Sequence, residues 1–263
     1  MRATTGQILG KAHRLCEALS RADAPIAEFK GTTTTEFRTA VEGSVKFYIG
    51  ETSDLPQIAD DLRDSIVLHL PAKLMLIEGE GYAAVNYERV PMTLFCLCAE
   101  FNAGIIHSFF FGSKKGRFFS CGGGVILYHN GELSFKAFTT GDTIRTMQTS
   151  EGIEIVLRTL LALSCTNVRS VDNSPPPALN KKRKKAGKLP LFTYKTLHIL
   201  SGERGSSHDP RADDAEAKRS PRLHFRRGHV RRIGGGRITW VQQCMVGNAR
   251  LGMIEKAYAL EAR

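Results

Sequence analysis

The residues best suited to chemistry stand between Ser220 and Arg232, in the order Ser-Pro-Arg-Leu-His-Phe-Arg-Arg-Gly-His-Val-Arg-Arg. His224 and His229, beside Arg226, Arg227, Arg231 and Arg232, are the parts of a metal-independent ribonuclease or phosphodiesterase. One imidazole takes a proton, the other returns one, and a guanidinium offsets the charge gathering on the phosphorane. Strand parity works against this. On an extended strand His224 shares a face with Arg226 and Gly228, whereas Phe225, Arg227 and His229 share the other. Only a bulge at Gly228 re-aims one imidazole toward its mate. Phosphate contact needs no such adjustment, because planar arginine forks grip phosphate oxygens in pairs. Binding is therefore the leading reading, and cleavage by His224 and His229 the alternative.

A second cationic feature lies upstream. Lys181, Lys182, Arg183, Lys184, Lys185 and Lys188 crowd into Asn180–Lys188 and repel one another unless something anionic is near. A phosphate backbone gains affinity there through counterion release; a solvated linker is the plainer account. Trp240, the single tryptophan, follows in Ile238-Thr239-Trp240-Val241. It is placed either to stack on a base or to anchor a small core. With His229 it completes the predicted contact set: the Lys181–Lys188 cations, Arg226, Arg227, Arg231 and Arg232.

Other constellations have plainer explanations. Gly122-Gly123-Gly124 carries no phosphate-loop frame around it and reads as turn chemistry. Asp60, Asp61 and Asp64 read as the solvated face of a helix. His69 and His107 sit among apolar residues and read as buried, hydrogen-bonded histidines. Six cysteines occur without CxxC spacing, so free thiols in a reducing compartment are expected, with no structural zinc and no cofactor. Cys96 and Cys98 fall two apart in a strand and so share a face.

Charge divides the chain. From Ser174 onward there are 20 Lys and Arg against 7 Asp and Glu, which leaves 17 basic against 19 acidic residues before it. The net charge of +11 thus belongs to the last third, a distribution typical of a polyanion-binding segment on a near-neutral body. No apolar run is long enough for a membrane span, and the first twenty residues lack the pattern of a secretory leader.

The elements that position these groups read as an α+β protein. A helix is expected over residues 4–21, a Thr-rich β-prone stretch at 32–35, a strand over 43–49 and a helix from Ser53 through Ile66. Short strands then run from Val67 to Phe138, closing with an Asn-Gly hairpin at Asn130-Gly131. Ser150 caps a helix over 151–164. Residues 1–171 form an antiparallel-sheet body with flanking helices. Residues 172–190, with Pro175-Pro176-Pro177, read as an extended linker. Residues 191–263 read as a small basic β-rich module, with strands at 192–200, 223–233 and 237–246, a turn at 234–236 and a final strand at 257–260.

Leu179-Asn180-Lys-Lys-Arg, Gly187-Lys188-Leu-Pro-Leu, Tyr194-Lys-x-Leu and His224-x-Arg-Arg-Gly-His-x-Arg-Arg before Trp240-Val241 form a distinctive series. In it the chain resembles a group of uncharacterised proteins encoded by bacteriophages, prophages and bacterial mobile elements, mainly over residues 160–260. The resemblance implies the cytoplasm of a bacterial host and assigns no catalytic role. The leading expectation is a phage-type binder of DNA or RNA backbone with weak sequence preference. A factor that docks on an acidic host protein is a further alternative, and self-association of the body is allowed.

Overall fold

The computed structural model describes residues 10–20, 33–58, 69–85, 88–101, 104–112, 118–129, 132–138, 143–200, 222–226, 228–242, 244–246 and 248–254. Its centre is an eight-stranded sheet. In chain order its strands are β1 (Val45–Glu51), β2 (Leu74–Val85), β3 (Glu88–Phe101), β4 (Gly104–Gly112), β5 (Phe118–His129), β6 (Glu132–Phe138), β7 (Val168–Asn173) and β8 (Tyr194–Ile199). Their spatial order is β6-β5-β4-β3-β2-β1-β8-β7. From β2 to β6 the strands form the expected antiparallel meander. At β1 the sheet becomes mixed, since β1 runs parallel to both β2 and β8. The long connection from β1 to β2 makes a parallel crossover possible.

Both faces of the sheet are covered, which explains why Leu74-Met75-Leu76-Ile77 and Leu94-Phe95-Cys96-Leu97-Cys98 read as continuous apolar runs without a polar alternate. Phe47, Met75, Ile77, Leu94, Cys96 and Cys98 share one core with Ile153, Val156, Leu157, Leu160 and Leu161 of helix α3 (Thr143–Ser164). Leu76, Phe95, Leu97 and Tyr194 point the other way. They meet Ala12, Leu15 and Cys16 of helix α1 (Ala12–Leu19) and Phe37 and Val41 of helix α2 (Thr34–Gly43). Cys96 and Cys98 share a face as expected, with Sγ atoms 3.9 Å apart and both thiols free.

Several sequence expectations change. The Thr-rich stretch is a helix start, not a strand. Thr33 accepts from the Glu36 N–H at 3.2 Å while Glu36 Oε2 accepts from the Thr33 N–H at 2.8 Å, a reciprocal capping box. Gly122–Gly124 lie inside β5 rather than at a turn. Two residues of β5, Cys121 and Gly122, oppose Phe109 alone, and Gly122 takes φ +96°, the bulge geometry glycine tolerates. Helix α3 begins at Thr143, two turns before the expected cap at Ser150. His69 is exposed before β2, its Nδ1 2.8 Å from Glu100 Oε1, instead of buried in a strand. Of the helix expected from Ser53 through Ile66, the described part holds only a single 3-10 turn at Thr52–Asp54, and residues 55–58 are not helical. Residues 59–66, with Asp60, Asp61 and Asp64, and residues 257–260 lie outside the described residues, as does the His107 side chain.

The triproline stretch also departs from its expected form. Val168–Asn173 is strand β7, and Pro177–Lys185 is helix α4 rather than extended linker. Pro177 occupies the first helical position, where the missing N–H costs nothing because that donor has no intrahelical partner anyway. The expected strand at 192–200 is present as β8, inside the large sheet beside β1.

Beyond it, the single expected strand at 223–233 is two: β9 (Arg222–Arg226) and β10 (His229–Ile233). Strand β10 pairs with β11 (Arg237–Val241) through the Gly234–Gly236 turn, giving a two-stranded sheet. Strand β9 lies between β12 (Cys244–Val246) and β13 (Asn248–Ile254) in a three-stranded one.

Candidate functional site

Helix α4 presents the first cationic cluster. Its basic residues fill the last turn, where the negative end of the helix dipole offsets their mutual repulsion. Lys181, Lys182, Lys184 and Lys185 are exposed. Arg183 is turned inward, its side chain 19% exposed. Its Nε donates to the Leu189 carbonyl at 2.7 Å and its Nη2 to Glu17 Oε1 of α1 at 3.3 Å. Asn180 fixes the returning chain reciprocally: its Nδ2 donates to the Leu191 carbonyl at 3.0 Å, and its Oδ1 accepts from the Leu191 N–H at 2.8 Å.

The end of α4 is a Schellman turn. Gly187 has φ +66°, its N–H donates to the Lys184 carbonyl at 3.1 Å, and the Lys188 N–H donates to the Arg183 carbonyl at 2.9 Å. That turn brings Lys188 back over Arg183, toward α1 and α2. On α1, Ala12, Leu15 and Cys16 are buried, which leaves His13, Arg14 and Glu17 facing outward. Arg38 of α2 completes the wall; its Nε donates to Glu42 at 2.7 Å and its Nη1 to Ser20 Oγ at 2.9 Å. These side chains enclose an open cavity of about 590 Å³, closed on one edge by Leu189. Burial, then the Arg183 charge, lowers the His13 pKa and favours its neutral form.

The start of α1 is held to the sheet by a polar network that the sequence reading missed. Glu78 of β2 is fully buried on the α1 face. Its Oε1 accepts from the Lys11 N–H at 2.6 Å and its Oε2 from the Tyr194 hydroxyl at 2.5 Å. The Tyr194 oxygen in turn accepts from the Ala12 N–H at 3.0 Å. The first amides of α1, which have no intrahelical acceptor, thus find a carboxylate and a phenol from the sheet. Burial pushes the Glu78 pKa up to about 7 despite these donors. The signal was a glutamate inside the apolar run of β2. Lys46 is buried nearby in the same way. Its ammonium donates to the Glu42 and Ser44 carbonyls at 3.1 and 2.8 Å and lies 4.3 Å from the Phe192 ring centre. Burial brings its pKa down to about 8.

The second cationic cluster is carried on the β10–β11 hairpin. Arg231, Arg232 and Arg237 are exposed, and His229 is half-buried. Val230 and Ile238 are buried in the α3 core, and Trp240 packs against it. The turn after α3 clamps the hairpin: Thr166 N–H donates to the Ile238 carbonyl at 3.0 Å, Asn167 Nδ2 to the Trp240 carbonyl at 2.8 Å, and Trp240 N–H to Asn167 Oδ1 at 2.9 Å. Trp240 therefore serves as a core anchor here.

His224 and Arg226 stand on β9, in a different sheet from His229, Arg231 and Arg232 on β10. Arg227 lies outside the described residues. The single-strand geometry assumed for the two histidines is thus absent. Among the described residues, no group of three or more His, Cys, Asp or Glu is placed to hold a metal ion. No helix among them is long and apolar enough to cross a membrane.

The architecture defines a mixed-sheet α+β protein with flanking helices and a small C-terminal β-hairpin, on which Arg231, Arg232 and Arg237 are exposed, as are Lys181, Lys182, Lys184 and Lys185 on α4. Residues 126–248 match the AcrVA2-like family, described as anti-CRISPR type V subtype A2. Over that part the chain is similar to a phage-associated anti-CRISPR family, in keeping with the phage resemblance seen in residues 160–260. No curated protein and no solved structure matches the chain.

Proposed function

We propose that this protein opposes a type V CRISPR system by docking on a Cas protein of the bacterial host, through the cations exposed on α4 and the β10–β11 hairpin. The family match carries this reading. Residues 126–248 include α3, β7, α4, β8 and the whole hairpin, so the matched segment holds both cationic surfaces and the elements that fix them. Charge supports a partner with an acidic patch: complementary potentials speed encounter and set the docking register. The docking set is Lys181, Lys182, Lys184 and Lys185 on α4 and Arg231, Arg232 and Arg237 on the hairpin. Arg183 and Trp240 hold the frame.

The experiment is a binding titration of purified protein against purified type V effector at several salt concentrations, beside titrations with DNA and RNA duplexes and single strands. The reading expects saturable, salt-sensitive binding to the effector, weakened at least tenfold by Arg231→Glu with Arg232→Glu. Tight, salt-steep binding to nucleic acid with none to the effector overturns it and restores phosphate-backbone binding as the function.

A further inference from the structure

The cavity between α1, α2 and the end of α4 has a composition that docking does not explain. Arg14, Arg38, Arg183 and Lys188 face it from three elements, and among the described residues Glu17 is the one carboxylate in its wall. Two of the cations are fixed in place. Arg183 is held by Glu17 and the Leu189 carbonyl, and Arg38 by Glu42 and Ser20. A guanidinium carries five N–H donors, so each keeps donors beyond those already used. The other two, Arg14 and Lys188, form no ion pair with a described residue. Both are exposed, and the Schellman turn at Gly187 fixes the backbone of Lys188 beside the cavity.

Like charges gathered around a concave space cost free energy unless an anion enters. Glu42 and Glu17 offset Arg38 and Arg183, which leaves the charges of Arg14 and Lys188 unmatched among the described residues. A group with two negative charges and several acceptor oxygens suits them better than a further carboxylate. Arginine forks match phosphate oxygens in pairs. A cavity of about 590 Å³ also falls within the ~300–1,000 Å³ range of small-molecule sites, far more than a lone phosphate fills. The Leu189 edge and the half-buried His13 ring offer apolar and flat surface to the rest of the ligand.

We infer that this cavity binds a phosphate monoester of about mononucleotide size, with Arg183 and Arg38 gripping the phosphate and Arg14 and Lys188 closing over it. This goes beyond the docking function, since His13, Arg14, Glu17 and Arg38 all lie outside residues 126–248. It needs no Cas protein for its test.

Calorimetric titration of the full chain with adenosine monophosphate, adenosine and inorganic phosphate tests it. Titration with 5′-phosphorylated and 5′-hydroxyl oligonucleotides separates a free nucleotide from a nucleic-acid end. Binding of the monophosphate at least tenfold tighter than adenosine, weakened by salt, is expected. Arg14→Gln with Lys188→Gln alters only cations that form no ion pair with a described residue, and should weaken monophosphate binding at least tenfold without lowering the melting temperature of the unliganded protein. Equal binding of adenosine and its monophosphate, no heat at millimolar concentrations, or unchanged affinity in the double variant overturns the inference. So does preference for an acidic peptide over every phosphate tested.

Discussion

The Tyr194 hydroxyl donates to Glu78 Oε2 at 2.5 Å, joining residues 116 positions apart inside the sheet–helix interface. Because the same oxygen accepts from the Ala12 N–H, one hydroxyl ties β8, β2 and the start of α1 together. Tyr194→Phe keeps the ring and its edge-on contact with Tyr48, centroids 6.5 Å apart. It strips one donor from a buried carboxylate and the acceptor from a buried amide. The expected loss is about 1–3 kcal/mol, read as a lower urea midpoint with an unchanged slope. A midpoint equal to that of the parent protein would show that the hydroxyl bonds add nothing to folding.

Glu78 makes stability depend on pH. Its pKa in the folded protein is about 7, against about 4.3 for a free glutamate. Between these values the folded state retains a proton that the unfolded chain has released. The contribution is therefore full below the lower value and lost as pH rises through 7. At about 1.4 kcal/mol per pKa unit, the fall across the window is at most about 3–4 kcal/mol. Urea midpoints measured from pH 5 to pH 8 should decline, and Glu78→Gln should flatten the decline.

What the sequence disclosed follows from which signals are local. The antiparallel order of the meander, the pairing of β5 with β6 and the shared face of Cys96 and Cys98 are as read. The short runs at 67–77 and 82–87, however, merge into β2 and those at 118–119 and 125–128 into β5, and Asn130 and Gly131 themselves lie outside the described residues. Strand β1 reads correctly as a strand, but its parallel partners depend on pairings far along the chain. The capping box at Thr33 and Glu36 and the Pro177 start of α4 were legible as motifs. They were masked by β-branched threonines in one case and by the helix-breaking reputation of proline in the other. The Lys181–Lys188 run announced charge, yet not that Arg183 faces inward while Lys188 folds back to a cavity. That partition depends on α1, some 166 positions away at Glu17, and no local pattern encodes it.

Gly187 controls where Lys188 points. Its φ of +66° lies in the left-handed region, and a Cβ there would meet nothing within 4 Å. Gly187→Ala therefore incurs backbone strain alone, about 1 kcal/mol, without a steric clash. A melting temperature lower by a few degrees is expected, and Gly187→Asn should recover much of it, because asparagine enters that region more readily. If both variants melt with the parent, the turn is not holding the end of α4.

Asn167 should govern the hairpin in the same way that Tyr194 governs α1. Its side-chain amide makes both polar contacts with the Trp240 backbone, at 2.8 and 2.9 Å. Asn167→Ala leaves the Trp240 N–H and carbonyl without those partners, at a cost of about 1–3 kcal/mol. Because Trp240 is the single tryptophan, its emission reports the hairpin directly. A red shift in Asn167→Ala means that the indole has left the α3 core. Loss of effector binding together with that shift would show that the hairpin must be docked to work. Arg231→Glu with Arg232→Glu separates position from charge, since it should weaken binding at least tenfold with the emission unchanged. Were Asn167→Ala to shift the emission and keep full effector affinity, the docking surface would be α4 alone.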